Sequence, residues 1–574
     1  MCRIRLLVVL LLSVIGRGHA LVLSPEYSVT WDYDSSTSGG NVTFEVVVET
    51  RGFVGFGLSP TGGMTSADIV IGGVGSDGTP YFMDYHGVGP QAPIVDESQD
   101  WFLISAAEND THTTLKFWRE LNTCDGDDWI ITMDTQKMIW SWGASDVIQY
   151  HGVNRGTKLR NLLDPTHTSP DLSKYKVWNA FNTITVPARP TTYWCSIHKT
   201  PNFTTTHHMI GFDVFLPNDV AVRHTHHVDV YGCRADDPEL IFEKWVGDEG
   251  RDCYAPDPAK PDFPAHYCDL IELGWVLGGE ITLFPEHAGF PFEPNTYIML
   301  EAHYDNPQSL DNIAYEMGYQ IYYTDQLREY DAGYLLVGSV VSYTQMIPPN
   351  SVNFTQVAHC SPWCTNNFPA TGLQVFAFLF HAHTSARGMK VRLFRDGEEL
   401  EWVLHDAHFD FNYQQNRLLR EEFSLLPGDH ITVECLYDST WKEGEATIGG
   451  RSTREEMCMA YFFYYPNLPE VAMCNSEMPA GRLLQFLGVE SVELEGEWQE
   501  DPTVTGPPQY AGQSFTSVIQ GLNWTDEMRA EYQNMHRYGY HELECFPKQG
   551  QSKARTSYPP YPEWQPVDSC AATK

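Results

Sequence analysis

The chain has 574 residues with 36 basic and 75 acidic side chains, a formal charge of −39, and 42% hydrophobic residues. That length exceeds what one hydrophobic core supports, so about three domains are expected. So acidic a chain argues against nucleic acid or an anionic membrane surface as partner, while a cationic small molecule is electrostatically compatible with it.

At the N-terminus Arg3 and Arg5 precede the apolar run Leu6 to Ile15, and Gly18-His19-Ala20 supplies small residues at a cleavage site. Residues 1–20 therefore read as a secretory signal peptide, too short to span a bilayer. No later stretch approaches about 18 consecutive apolar residues, so no transmembrane anchor is expected. The mature chain is expected to be secreted or to reside in the lumen of the secretory pathway (endoplasmic reticulum, Golgi or granules). Once Cys2 leaves with the signal, twelve of the 13 cysteines remain. An even number permits complete pairing and leaves no spare cysteine for a covalent dimer. Sequons at Asn41, Asn109, Asn202, Asn353 and Asn523 predict glycosylated surface loops.

Residues 28–150 alternate in short runs such as NVTFEVVVE from Asn41 and ADIVI from Ala67, separated by glycine-rich turns, the pattern of an all-β domain. A linker is expected over 151–190, where Pro165, Pro170, Pro187 and Pro190 interrupt periodicity. Two further β-rich domains are placed at 191–329 and 330–494. The remainder, 495–574, reads as a tail with one short helix near Asn523 to Met535, stapled back through Cys545 and Cys570.

Histidines carry the chemistry. His381 and His383 flank one residue at the end of the apolar run VFAFLFHAH, and on a strand i and i+2 share a face, so both can converge on one metal. Met457 supplies a thioether, and two imidazoles with a thioether suit reduced copper better than zinc, calcium or magnesium. Met459 shares the face of Met457, leaving sidedness and depth to choose between them. Upstream lie His224, the adjacent pair His226-His227, and His303. Adjacent strand residues diverge, so His226 and His227 meet one ion only at a bend or bulge, whereas His224 with His226 is the easier pair by strand geometry. Each motif also has a plainer reading, as half-buried polar histidines or a core methionine. His207-His208 is a second adjacent pair.

Eight segments together resemble the copper type II, ascorbate-dependent monooxygenases, and within them the DBH-like branch related to dopamine β-hydroxylase. They are GFVGFGLSPTGGMTSADIVIGG (52–73), TTYWC (191–195), HHVDVYGC (226–233), LEAHYDNP (300–307), YDAG (330–333), FHAHTSARG (380–388), LPGDHITVECLY (426–437) and STREEMCMAYFFYYP (452–466). The resemblance implies an all-β chain, with an N-terminal DOMON-like β-sandwich followed by two jelly-roll-type β-sandwich copper domains. It implies His226, His227 and His303 as ligands of one copper and His381, His383 and Met457 as ligands of a second, where oxygen binds. It demotes His207-His208. The disulfides it implies are Cys124–Cys570, Cys195–Cys253, Cys233–Cys268, Cys360–Cys474, Cys364–Cys545 and Cys435–Cys458. Thr384 departs from the leucine that commonly follows the HxH motif in the family.

The implied activity is hydroxylation of an aliphatic carbon of a small substrate, using O2 and ascorbate as reductant, with two coppers per subunit and an electron crossing the gap between the two copper domains. No side chain need act as a general base. A phenethylamine-like amine is one candidate substrate, for which Glu455, Glu456, Asp406 and Asp410 are the nearby carboxylates, and Tyr461 shares strand parity with Met457 as a candidate pocket residue. Met64 lies where haem-binding DOMON members can have a ligand, but with no partner histidine identifiable, haem is not expected. Two other readings keep the ligands without turnover: a non-catalytic secreted copper-binding glycoprotein, and an interaction protein built around the first domain.

Overall fold

The structure is a computed structural model that describes residues 19–36, 39–165, 171–255, 257–402, 404–494, 501–547, 554–566 and 570. All of the expected signal peptide except His19 and Ala20 lies outside the described residues; those two begin the strand His19–Ser24. The chain divides into two compact units, residues 1–170 with 569–574, and residues 171–568. Among the described residues no helix is long and apolar enough to cross a membrane.

The first unit is a sandwich of a five-stranded and a six-stranded antiparallel sheet. Its strand Asn41–Val48 alternates half-buried and buried residues, as the period-two pattern requires. Phe44, Phe56, Trp101 and Phe117 fill the space between the sheets, and Asp68, buried among them, accepts from Trp101 Nε1 and from Arg119. Cys124 and Cys570 are disulfide-bonded.

The second unit holds two sandwiches, one of six and five strands and the other of seven and five. Five strands carry the residues considered below: β1 (Thr191–Lys199), β2 (Thr225–Cys233), β3 (Cys268–Val276), β4 (Tyr297–Asp305) and β5 (Gly333–Ser339). They are joined by β6 (Leu373–Ala382), β7 (Cys458–Tyr465), β8 (Val471–Glu477) and β9 (His541–Pro547). In the first sandwich β1, β4, β2 and β3 are consecutive neighbours, and in the second β6, β7, β5, β8 and β9 are. One buried cluster draws on both, including Phe212 and Phe284 from the first and Tyr334, Phe376 and Phe463 from the second. The Phe284 ring lies 5.6 Å from Phe376 and 5.8 Å from Phe463.

Two boundaries differ from the sequence reading. The stretch read as a linker, 151–190, carries the strand Arg155–Arg160, which pairs with Gln136–Trp142, and the strand Lys176–Val186, which pairs along its whole length with Ile313–Thr324. Its prolines cluster outside these strands and hid their alternation. The stretch read as a tail, 495–574, supplies β9 to the seven-stranded sheet and a helix, α1 (Asp526–Tyr538), capped by Thr525. Tyr532 of α1 is fully buried and stacks on Phe354 at 5.5 Å, so this segment completes the core of the second sandwich.

Candidate metal centre

His226 and His227 follow Thr225 at the start of β2, where the ladder to β4 shifts register between Thr225 and His227. That bulge at His226 turns two adjacent side chains toward one point, which a regular strand forbids. His303 of β4 is the cross-strand partner of His227. The three Nδ1 atoms converge: His226 lies 2.9 Å from His227 and 3.1 Å from His303. Nitrogens bound to one metal at about 2 Å stand roughly 3 Å apart, so the spacing fits a shared cation. Three imidazole nitrogens facing one another cannot satisfy each other with protons alone, and Nε2 of His226 and of His303 has no hydrogen-bond partner. Burial, then the neighbouring imidazoles, holds all three well below the usual histidine range, so they remain neutral and competent as ligands. His224 turns away and its Nδ1 bonds the Asp305 carbonyl. His208 is occupied by Asp331 and the Arg328 amide.

His381 is the last residue but one of β6, and His383 directly follows the strand. His381 Nδ1 donates to Gln414 Oε1 at 3.0 Å and His383 Nδ1 to the Glu455 carbonyl at 3.0 Å. Both oxygens only accept, which puts the proton on Nδ1 and leaves Nε2 of each ring as the ligand atom. His383 Nε2 is buried without a hydrogen-bond partner. Burial lowers His381 to about 4 and, with help from His381, lowers His383 to about 3. Both methionines border the same cavity. Met459 stands opposite His381 across the β6–β7 ladder, but its sulfur accepts the Tyr461 hydroxyl at 3.3 Å. Met457 is held through its backbone, by the Tyr437 hydroxyl on its carbonyl at 2.7 Å and by the Cys435–Cys458 disulfide at the next residue. Thr384 donates to the Thr453 carbonyl at 2.9 Å, tying the HxH segment to the loop before Met457.

The two histidine sets adjoin. The His226 ring centroid lies 5.7 Å from His383 and 6.2 Å from His381, and the ring stacks on Phe411 at 4.8 Å. The gap expected between the two copper domains is thus narrow at the histidines. A cavity of about 240 Å³ borders both sets, touching His227 on one side and His381 and Met457 on the other. Tyr461 borders it, as parity with Met457 predicts.

The cavity carboxylates are Asp229 and Glu301, not the four that the sequence reading named. Glu456 accepts the amides of His383 and Ser385, Glu455 accepts the Ser452 amide, Asp406 pairs with Arg417, and Asp410 accepts the Asn412 amide. Asp229 is two residues past His227 and Glu301 two before His303, so the strand parity that places the ligands also pointed to these carboxylates. Glu301 accepts the Tyr254 hydroxyl at 2.6 Å. Burial raises Glu301, opposed first by Arg451, whose guanidinium lies 3.6 Å from the Tyr254 ring centroid. Arg451, Tyr193 and Phe411 were not foreseen; loop geometry, not spacing, brings Arg451 and Phe411 in.

Profiles of known families match three stretches: the DOMON domain over 23–143, and the N-terminal and C-terminal domains of copper type II ascorbate-dependent monooxygenase over 179–311 and 330–486. DBH-like monooxygenase protein 1 of Homo sapiens is 36% identical over 523 residues, covering 88% of this chain and 82% of that protein. The chain belongs to the copper type II ascorbate-dependent monooxygenase family. Other members include MOXD1 homolog 1 of Drosophila melanogaster, 33% identical with 79% and 68% covered, and dopamine beta-hydroxylase of Homo sapiens, 30% identical with 90% and 82% covered. Within this family frame the structure bonds Cys195–Cys253, Cys233–Cys268, Cys360–Cys474 and Cys364–Cys545, in addition to the two disulfides above. Of the sequon asparagines, Asn109, Asn202, Asn353 and Asn523 are exposed and Asn41 is half-buried at a strand start.

Proposed function

We propose that this chain is a secreted or lumenal monooxygenase that hydroxylates an aliphatic carbon of a small organic substrate, with His226, His227 and His303 holding one copper and His381, His383 and Met457 the other. The observation that carries the reading is the cavity bordered by both sets, because a substrate seated there stands beside both centres at once. Bound copper would supply the redox chemistry, taking electrons from ascorbate and activating O2.

The protein's own residues bind and orient. Gln414 and the Glu455 carbonyl fix the tautomers of His381 and His383, and Glu456 fixes the backbone at His383 and Ser385. A soft thioether at Met457 favours the reduced ion that meets oxygen, whereas three imidazoles support both oxidation states. Tyr231, Leu336, Leu379 and Tyr461 line the cavity with carbon and displace water from the reacting position. No buried acid or base is required to move a proton from the substrate carbon.

The test is copper stoichiometry with ascorbate-driven oxygen uptake on the secreted protein, offering tyramine and phenethylamine. Two coppers with substrate-dependent uptake support the reading. Two coppers without uptake across a broad substrate panel support a non-catalytic copper-binding glycoprotein, and fewer than two coppers overturn the ligand sets.

A further inference from the structure

We propose that a second cavity, between the two sheets of the first sandwich and across the β2–β3 ladder from the cavity beside the histidines, binds a small organic amine whose ammonium group pairs with Glu272. Strand parity keeps the two cavities apart. Asp229 and Tyr231 of β2 border the cavity beside the histidines, whereas Val230 and Gly232 border the second, which encloses about 220 Å³. From the facing sheet come Trp178 of the strand Lys176–Val186, Phe292 of the strand Ala288–Phe292 and Ile321 of the strand Ile313–Thr324. The site involves neither copper set and stands whether or not the chain oxidises amines.

One carboxylate interrupts the apolar wall. The ladder pairs Val230 with Leu273 and Tyr231 with Ile271, which leaves Glu272 unmatched in a bulge. The bulge lets Glu272 and Leu273, adjacent in the chain, border the same cavity. Gly232 makes the room, since a Cβ there would collide with the Glu272 carboxylate. Among the described residues Glu272 makes no hydrogen bond or salt bridge, and the charge that acts on it is that of Arg234, an exposed residue bordering the cavity. The neighbouring polar groups are engaged: Glu293 accepts the Thr206 hydroxyl, and Thr200 donates to the Glu293 carbonyl. A carboxylate only accepts hydrogen bonds, so its complement is an N–H donor, and a charged donor gains most. Two carboxylates, Glu272 and Glu293, stand on this wall against the one guanidinium of Arg234, so a bound anion would face Glu272 without compensation. The rings of Trp178 and Phe292, with centroids 5.5 Å apart, offer a surface to an aromatic or aliphatic body.

Titration calorimetry of the secreted, copper-loaded protein at pH 8, under nitrogen and without ascorbate, compares phenethylamine with phenethyl alcohol, which has the same body and no charge. At that pH an alkylammonium keeps its proton, and the Glu272 carboxyl, which burial raises to about 7 against the opposing charge of Arg234, is ionised. Wild type is expected to prefer the amine. Glu272→Gln keeps the shape of the side chain and removes its charge, so it should weaken amine binding by about ten- to a hundred-fold, the size of a charge-assisted hydrogen bond, and leave the alcohol within about threefold. Glu272 does not border the cavity beside the histidines, so that loss reads the second cavity alone. Ile321→Phe fills the cavity from the facing sheet and should weaken both compounds together; if it fails to fold, Glu272→Gln decides. An undiminished amine preference in folded Glu272→Gln protein overturns the site, as does equal affinity of wild type for both compounds, including no measurable binding of either.

Discussion

Tyr193 lies parallel to His303, with ring centroids 4.3 Å apart and 10° between their planes, and its hydroxyl donates to the Arg451 carbonyl at 2.7 Å. The stack fixes the rotation of an imidazole that has little else to hold it. Outer residues that orient a ligand are worth about ten- to a hundred-fold in metal affinity. Tyr193→Ala should weaken copper binding at the three-histidine set by that factor, read by chelator competition, while Tyr193→Phe, which keeps the stack, should stay near wild type. Equal losses in both variants would assign the effect to the Arg451 hydrogen bond.

Two methionines compete for one role, and the Tyr461 hydroxyl already occupies the sulfur of Met459. Met457→Ile is expected to preserve the fold and the three-histidine copper and to abolish product formation, with one copper lost per chain. Met459→Ile should keep both coppers. The reverse pattern in copper content would transfer the ligand to Met459.

Gln414 Oε1 accepts the hydrogen bond from Nδ1–H of His381. Replacing it with leucine removes the acceptor and frees the ring to rotate, so copper at the methionine site should bind about ten- to a hundred-fold more weakly. Gln414→Glu keeps an acceptor at that position and should recover most of the affinity, measured by the same chelator competition.

A second group of histidines predicts acid sensitivity. His359, His430, His536 and His541 form a chain of rings, with centroids 5.3 Å apart between His359 and His430, 4.8 Å between His359 and His541, and 5.2 Å between His536 and His541. Burial lowers His430 and His541 to about 4 and holds His359 and His536 well below the usual range. The folded state therefore keeps them neutral, whereas the unfolded chain takes up a proton near pH 6.5. Their contribution is complete above pH 6.5 and is lost as pH falls from there toward 4, at up to about 1.4 kcal/mol per pH unit for each group. Urea midpoints of copper-saturated protein should fall between pH 7 and 5, and His541→Gln should flatten that slope by about one proton. A midpoint independent of pH would contradict the burial of these rings.

Much of this site was legible in the sequence, for reasons visible in individual residues. His381 and His383 converge because a strand repeats every two residues, and the same rule places Asp229 beside His227 and Glu301 beside His303. Spacing left the choice among His224, His226 and His227 open, because a bulge is decided by the neighbouring strand and not by the pair itself. Phe411 and Arg451 arrive from loops, whose paths no periodicity records. The strands within 151–190 and 541–547 were hidden by proline and polar composition, and their partners at 136–142, 313–324 and 471–477 reveal them only once the sheets are assembled.

The bridge from Cys435 to Cys458 makes an oxidising compartment part of the methionine site, because Met457 is the neighbour of a half-cystine and without the bridge hangs from a strand end held by the Tyr437 hydroxyl. The histidine triad has its own cystine, Cys233–Cys268, which ties β2, the strand of His226 and His227, to β3. Protein produced in a reducing cytosol should accordingly hold copper more weakly at both sets, read as a lowered copper content.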